Sequence, residues 1–202
     1  MKILISRSLV ASLLLVLTAL LSACALPERA PAPQRYDFGL LEPAPDTTAT
    51  RPALALSVQA STALDSPALL YRLAYADAQQ LRAYGQARWA ALPADLLQQR
   101  VRAGLDARFA VVPAGEGASR LLLIELEEFS QVFTTAQQSH GLLRLRASLL
   151  QRSGSGQQLL AQRVWRIERP APTPDAQGGV RALAAASAAV ADEVLPWLLA
   201  QP

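Results

Sequence analysis

The 202-residue chain carries 19 Lys and Arg against 16 Asp and Glu, with one histidine and one cysteine. A single cysteine excludes an internal disulfide and a thiolate metal cluster. The near balance of charge argues against a nucleic-acid partner, which needs a concentrated basic surface.

Lys2 and Arg7 precede an apolar run from Leu9 to Leu21 broken by Ser12 and Thr18. A membrane span needs about 20 apolar residues. This run closes instead on Leu21-Ser22-Ala23-Cys24, as a secretory signal does. Leucine, two small residues and cysteine form a lipobox: the small residues admit the extended backbone to a peptidase cleft, and the thiol takes a diacylglyceryl group. The expectation is a signal peptide over 1–23 and a Cys24 carrying diacylglyceryl and N-acyl lipid. Two or more acyl chains anchor a protein stably where one does not. Removing 23 of 202 residues leaves 179, whose 17 basic residues are all arginine against 16 acids. That length suits one domain with a tether.

Residues 24–52 contain Pro27, Pro31, Pro33, Pro43, Pro45 and Pro52. Proline fixes φ and removes a backbone donor, so this segment reads as a tether, rising ~3.1 Å per residue where extended. Tyr36-Asp37-Phe38-Gly39-Leu40 interrupts it. Two aromatics two residues apart face one way in an extended chain, which predicts an edge strand or hook docked on the domain.

The domain is expected over 53–202. Ala53 to Ala60 alternates as a strand, Asp65-Ser66-Pro67 is a turn, and Leu69 to Tyr75 is a second strand with Leu69, Tyr71, Leu73 and Tyr75 on one face. Gln79 to Tyr84 reads as a short third strand. Trp89 and Leu92 then lead into Pro93, a residue suited to the first turn of a helix. A helix is predicted over about 94–110, with Leu97, Val101, Leu105 and Phe109 at i+4 spacings. Arg120 to Phe133 begins with the continuous apolar run of a strand covered on both faces, and Glu127-Glu128 breaks its alternation where a bulge fits. Gly141 to Gln151 and Gln157 to Arg169 flank a Ser153-Gly154-Ser155-Gly156 turn, giving a three-stranded antiparallel meander. A second helix is predicted over 175–199, stable from about Val180 because Gly178-Gly179 weakens its start, with Pro196 bringing a kink or early end. The fold class is α+β: a mostly antiparallel mixed sheet packed on one side by two helices.

Few side chains suggest chemistry. His140 with Ser130 or Ser139 and a carboxylate would be a hydrolytic set, but no Gly-x-Ser-x-Gly elbow surrounds a serine. Glu125, Glu127 and Glu128 with Asp37 or Asp65 have no diagnostic spacing, and Arg144 and Arg146 on the next strand are natural cross-strand partners. Gly178-Gly179 is too short for a phosphate loop. No catalytic, cofactor-binding or metal-binding residue is therefore assigned, and the expected activity is binding. Tyr71, Tyr75, Tyr84, Trp89, Phe129, Phe133, Trp165 and Trp197 are core candidates, with a subset at an interface.

The assembled features resemble the ABC-type transport auxiliary lipoproteins, which include the paraquat-inducible PqiC type. The resemblance rests on Cys24, Tyr36-Asp37-Phe38-Gly39, Tyr71-Arg72-Leu73, and Trp89 with Pro93 and Leu96-Leu97-Gln98. It continues through Leu126-Glu127-Glu128-Phe129 with Gln131 and Phe133, and Gly179-Val180-Arg181-Ala182-Leu183 with Trp197. Ala63-Leu64-Asp65 stands where the family often has a tryptophan. The resemblance implies a periplasmic, outer-membrane-anchored lipoprotein, since Ala25 in place of an aspartate fits outer-membrane sorting. It implies an MCE-type protein of an ABC-linked lipid transport system as partner, and a homo-oligomer. Tyr36, Asp37, Phe38, Gly39, Tyr71, Arg72, Trp89, Phe129 and Phe133 are the implied docking contacts. The alternative is a lipoprotein that itself carries an apolar ligand.

Overall fold

The structure is a computed structural model that describes residues 31–41, 50–154 and 156–201. The signal segment, Cys24, residues 25–30 and 42–49 of the tether, and Ser155 of the hairpin turn lie outside the described residues. Among the described residues, the folded unit runs from Pro33 to Gln201.

Among the described residues, eight strands and two helices follow in order: β1 (Gln34–Tyr36), β2 (Ala53–Ala60), β3 (Ala68–Leu73), β4 (Asp77–Trp89), α1 (Pro93–Leu105), β5 (Ala110–Pro113), β6 (Arg120–Phe133), β7 (Ser139–Ser153), β8 (Gly156–Pro170) and α2 (Ala176–Leu199). The spine is β6. Along one edge it pairs antiparallel with β7 from Arg120↔Gln151 to Phe133↔Ser139, and β8 continues the meander. Its other edge is shared end to end by two parallel strands, β2 over Leu121–Leu126 and β3 over Gln131–Phe133. A 3-10 turn at Thr62–Leu64 carries the chain between them and buries Leu64. Beyond β2 lies β5, parallel to it, and beyond β3 come antiparallel β4 and then parallel β1. The sheet is mixed, with the long antiparallel ladders dominating its paired length.

A bulge marks the point where β2 gives way to β3. The register steps from Leu126↔Leu145 to Glu128↔Arg144, leaving Glu127 as the extra residue. Leu126 and Phe129, three apart, therefore both stay inside at 1% exposure, while the ionic partners of Glu127 and Glu128 lie on the opposite face. The broken alternation in the sequence is this bulge.

Both helices cover one face of the sheet, α1 against β2 and α2 against β6, β7 and β8, and they pack on each other. Leu97, Val101 and Leu105 of α1 interlock with Leu183, Val190 and Val194 of α2 in a single core with Leu122, Ile124, Leu143 and Leu145. Gly141 permits the close approach of α2: a Cβ there would meet the Ala182 and Leu183 backbone at 2.8 Å. By length and composition α2 resembles a membrane span, but half of it is buried in the domain.

Some boundaries differ from the sequence reading. β3 ends at Leu73, so Tyr75 stands in the following turn and is 52% exposed. β4 runs on to Trp89, which closes a strand and not the approach to a helix. α1 stops at Leu105, where Arg108 N–H and Phe109 N–H both bond to the Leu105 carbonyl, and the β-branched Val111-Val112 forms β5. α2 is helical from Ala176, earlier than Val180, because Asp175 Oδ1 accepts the Gly178 N–H at 2.7 Å and caps the glycine turn. Its other end, Leu199, is the one the sequence predicts, with Pro196 inside the last turns.

Candidate docking site

The tether's aromatic island is seated on the domain. β1 aligns with the end of β4 through Gln34↔Ala87, Arg35↔Arg88 and Tyr36↔Trp89, and the Tyr36 carbonyl accepts the Ala90 N–H at 2.7 Å. Phe38 is half-buried between two core aromatics. Its ring lies edge-on to Trp89 at 5.7 Å and tilted against Phe129 at 6.2 Å, while Trp89 and Phe129 are 5.4 Å apart. Arg100 of α1 closes the seat, donating to the Phe38 carbonyl at 3.3 Å with its guanidinium carbon 6.0 Å from the ring centre. Asp37 Oδ1 accepts the Gly39 N–H at 2.8 Å, and Gly39 adopts φ +75°, so the chain turns sharply out and Leu40 is wholly exposed. Nothing in the α1 pattern singles out Arg100, because its role depends on a contact 62 residues away.

Of the residues expected at a docking surface, Asp37 and Gly39 are exposed and Tyr36, Phe38, Tyr71 and Arg72 are half-buried. Trp89, Phe129 and Phe133 lie in the interior at 1%, 1% and 7% exposure. They form the floor on which the more exposed residues rest. Cys24 lies outside the described residues.

A second aromatic group stands beside the first. Tyr71 lies tilted against Tyr84 at 4.6 Å and meets Phe133 edge-on at 6.0 Å. The Tyr84 hydroxyl donates to Gln131 Oε1 at 2.9 Å, and Gln131 Nε2 donates to Ser139 Oγ at 2.8 Å. Gln131 is fully buried and ties β4, β6 and β7 together beneath Gly179 of α2. Burial, then the neighbouring Tyr71 and Asp175, pushes the Tyr84 hydroxyl well above the ordinary tyrosine range.

The sheet face away from the helices carries paired charges. Glu128 meets Arg72 at 3.1 Å, while Glu127 joins Arg144 at 3.0 Å and Arg146 at 3.2 Å. Glu125, Glu127 and Arg146 line an open cleft of about 370 Å³ with Gln59 and Ser61. At the far end of the hairpin a second cleft, about 490 Å³, is lined by His140, Glu168, Ser139 and Gln138 among others. His140 Nε2 stands 3.6 Å from Glu168 Oε2, and Ser139 Oγ is engaged by Gln131. The structure thus gives the histidine a carboxylate but commits the neighbouring hydroxyl to the interior. Among the described residues, no group of three His, Cys, Asp or Glu side chains is arranged to hold a metal.

The chain shares its fold with protein XCC0632 from Xanthomonas campestris, assigned to the DUF330 family, with a TM-score of 0.65 and 24% identity over 83% of this chain and 93% of that one. A second solved structure, of an uncharacterized protein, superposes with a TM-score of 0.63 and 14% identity over 83% of this chain and 99% of the other. No curated protein matches the chain. The model of the ABC-type transport auxiliary lipoprotein component matches residues 37–195, from the aromatic island to the last turns of α2. The chain therefore belongs to the ABC-type transport auxiliary lipoprotein component family.

Proposed function

We propose that the protein is an outer-membrane-anchored periplasmic adaptor that docks an MCE-type protein of an ABC-linked transport system moving lipids or other apolar compounds. The observation that carries this reading is the family match across residues 37–195, which takes in Phe38 of the seated island, strands β2 to β8, α1 and most of α2. The lipobox ending in Cys24 supplies the anchor. Docking suits the sheet face away from the helices, where charged side chains are held in pairs such as Arg144–Glu127 and Arg146–Glu127. The space between helices and sheet is filled by Leu97, Leu105, Leu183 and Val194, which supports an adaptor over a carrier with an internal lipid.

The test is co-purification. Tagged protein extracted in mild detergent should bring down an MCE-domain protein, and self-association should be retained on native mass spectrometry without a stoichiometric lipid in the domain. Repeated isolation of the protein alone contradicts the adaptor; a retained lipid favours the carrier.

A further inference from the structure

The proline-rich linker is divided by the seat of Phe38. From Cys24 to Gln34 there are only about ten residues, and from Cys24 to Ala53 about 29. An extended chain spans at most ~3.3–3.6 Å per residue, so the first length reaches about 35 Å and the second about 100 Å. Which length acts as the leash depends on whether β1 and Phe38 remain docked.

We propose that the Gln34–Leu40 segment is a releasable strap that sets how far the domain stands from the membrane, short when seated and long when freed. The proposal rests on the lipid anchor at Cys24. The strap is lightly held: β1 is three residues long, lies on the edge of the sheet, and pairs in parallel, the weaker arrangement. Its principal attachment is one half-buried ring on Trp89 and Phe129.

The seat itself favours reversibility. The Trp89 indole N–H and Arg100 Nε are buried with no hydrogen-bond partner among the described residues. A buried donor left unpaired costs free energy that water recovers for it. Lifting Phe38 lets water reach this region, which offsets part of the lost aromatic contact. Release also leaves the core in place, because Trp89 and Phe129 contact each other independently of Phe38 and β6 remains paired on both edges. Small local openings of this kind belong to segments with few buried contacts.

Two substitutions free the strap by different routes. Phe38→Ala removes the ring, whereas Gly39→Val forces a β-branched residue to φ +75° at a site where a Cβ meets nothing within 4 Å, so it strains the strap and leaves the domain untouched. Full-length, lipidated protein is placed on a supported bilayer and read by hydrogen exchange and by neutron reflectometry.

In the unmodified protein, amides in 34–38 should exchange at least tenfold slower than in the free peptide, with the gap between bilayer and domain within about 35 Å. In both variants those amides should reach the peptide rate and the gap should widen, while β6 to β8 keep their protection. Peptide-like exchange in the unmodified protein, or an unchanged gap once the strap exchanges freely, overturns the proposal. Mass spectrometry of the N-terminal peptide separates the premises: missing acyl groups overturn the anchor and the standoff together, and acyl groups with an unprotected strap overturn the strap alone.

Discussion

Phe38 stands edge-on to Trp89, with ring centres 5.7 Å apart and planes at 82°, although 51 residues separate them in the chain. That contact turns a stretch with linker composition into part of the folded unit. Phe38→Ala should lower stability by about 1–2 kcal/mol, the value of one partly buried aromatic pair, and no more than the docking free energy of the strap. Urea unfolding measures it. A loss above about 4 kcal/mol would show that the ring belongs to the global core.

The two glutamates of the bulge should respond differently to loss of their partners. Glu128 is largely buried, its side chain 17% exposed, with one carboxylate oxygen unpaired, so Arg72→Ala strands a charge and should cost about 2–3 kcal/mol. Arg146 is 40% exposed and shares Glu127 with Arg144, so Arg146→Ala should cost under about 1 kcal/mol and less still at high salt. Equal losses in the two variants, measured by thermal unfolding, would refute this ranking.

Glycine substitutions should report the closeness of α2 to the sheet. An alanine at Gly141 meets the backbone of Ala182 and Leu183, which cannot swing aside, and Gly141→Ala should cost about 3 kcal/mol. Gly85, in β4, has open space around it and should accept alanine with no loss. Chemical denaturation of the pair is the check; a neutral Gly141→Ala would mean that α2 sits farther from β7 than the contacts described.

Stability should fall at both ends of the pH range. Asp175 is held below its ordinary value chiefly by the Gly178 N–H, so it binds fewer protons when folded, and its contribution is present above the unfolded pKa and lost as pH falls below about 4. Tyr84 is pushed up by burial, so it stays protonated in the fold, and stability is lost as pH rises above about 10. Asp175→Asn keeps a good cap but carries no charge, and should flatten the acid limb while costing at most about 1 kcal/mol near neutrality. An unchanged acid limb in that variant would assign the loss elsewhere.

The local pattern made the long antiparallel meander legible because Leu143, Leu145, Ala147 and Leu149 alternate strictly with polar partners and pack inside. The bulge was legible too, as a break in that pattern. What the sequence concealed is set by distant contacts. The division of the β6 edge between β2 and β3 depends on strand pairing more than 50 residues apart. β5 is four residues long, too short for a period to show, and Phe109 just before it continues the i+4 spacing of a helix that has already ended at Leu105. At the candidate site, the aromatic island announced a contact through two aromatics in a proline-rich stretch, but its seat is built by Trp89, Phe129 and Arg100 from three separate elements.

Replacing Cys24 by serine tests the anchored adaptor most directly. The protein should reach the periplasm folded, with the same thermal transition as the lipid-free domain, yet fail to restore the envelope barrier of a strain lacking the gene. Full restoration by a soluble Cys24→Ser protein would contradict the account, because a docking component that works anywhere in the periplasm needs no anchor.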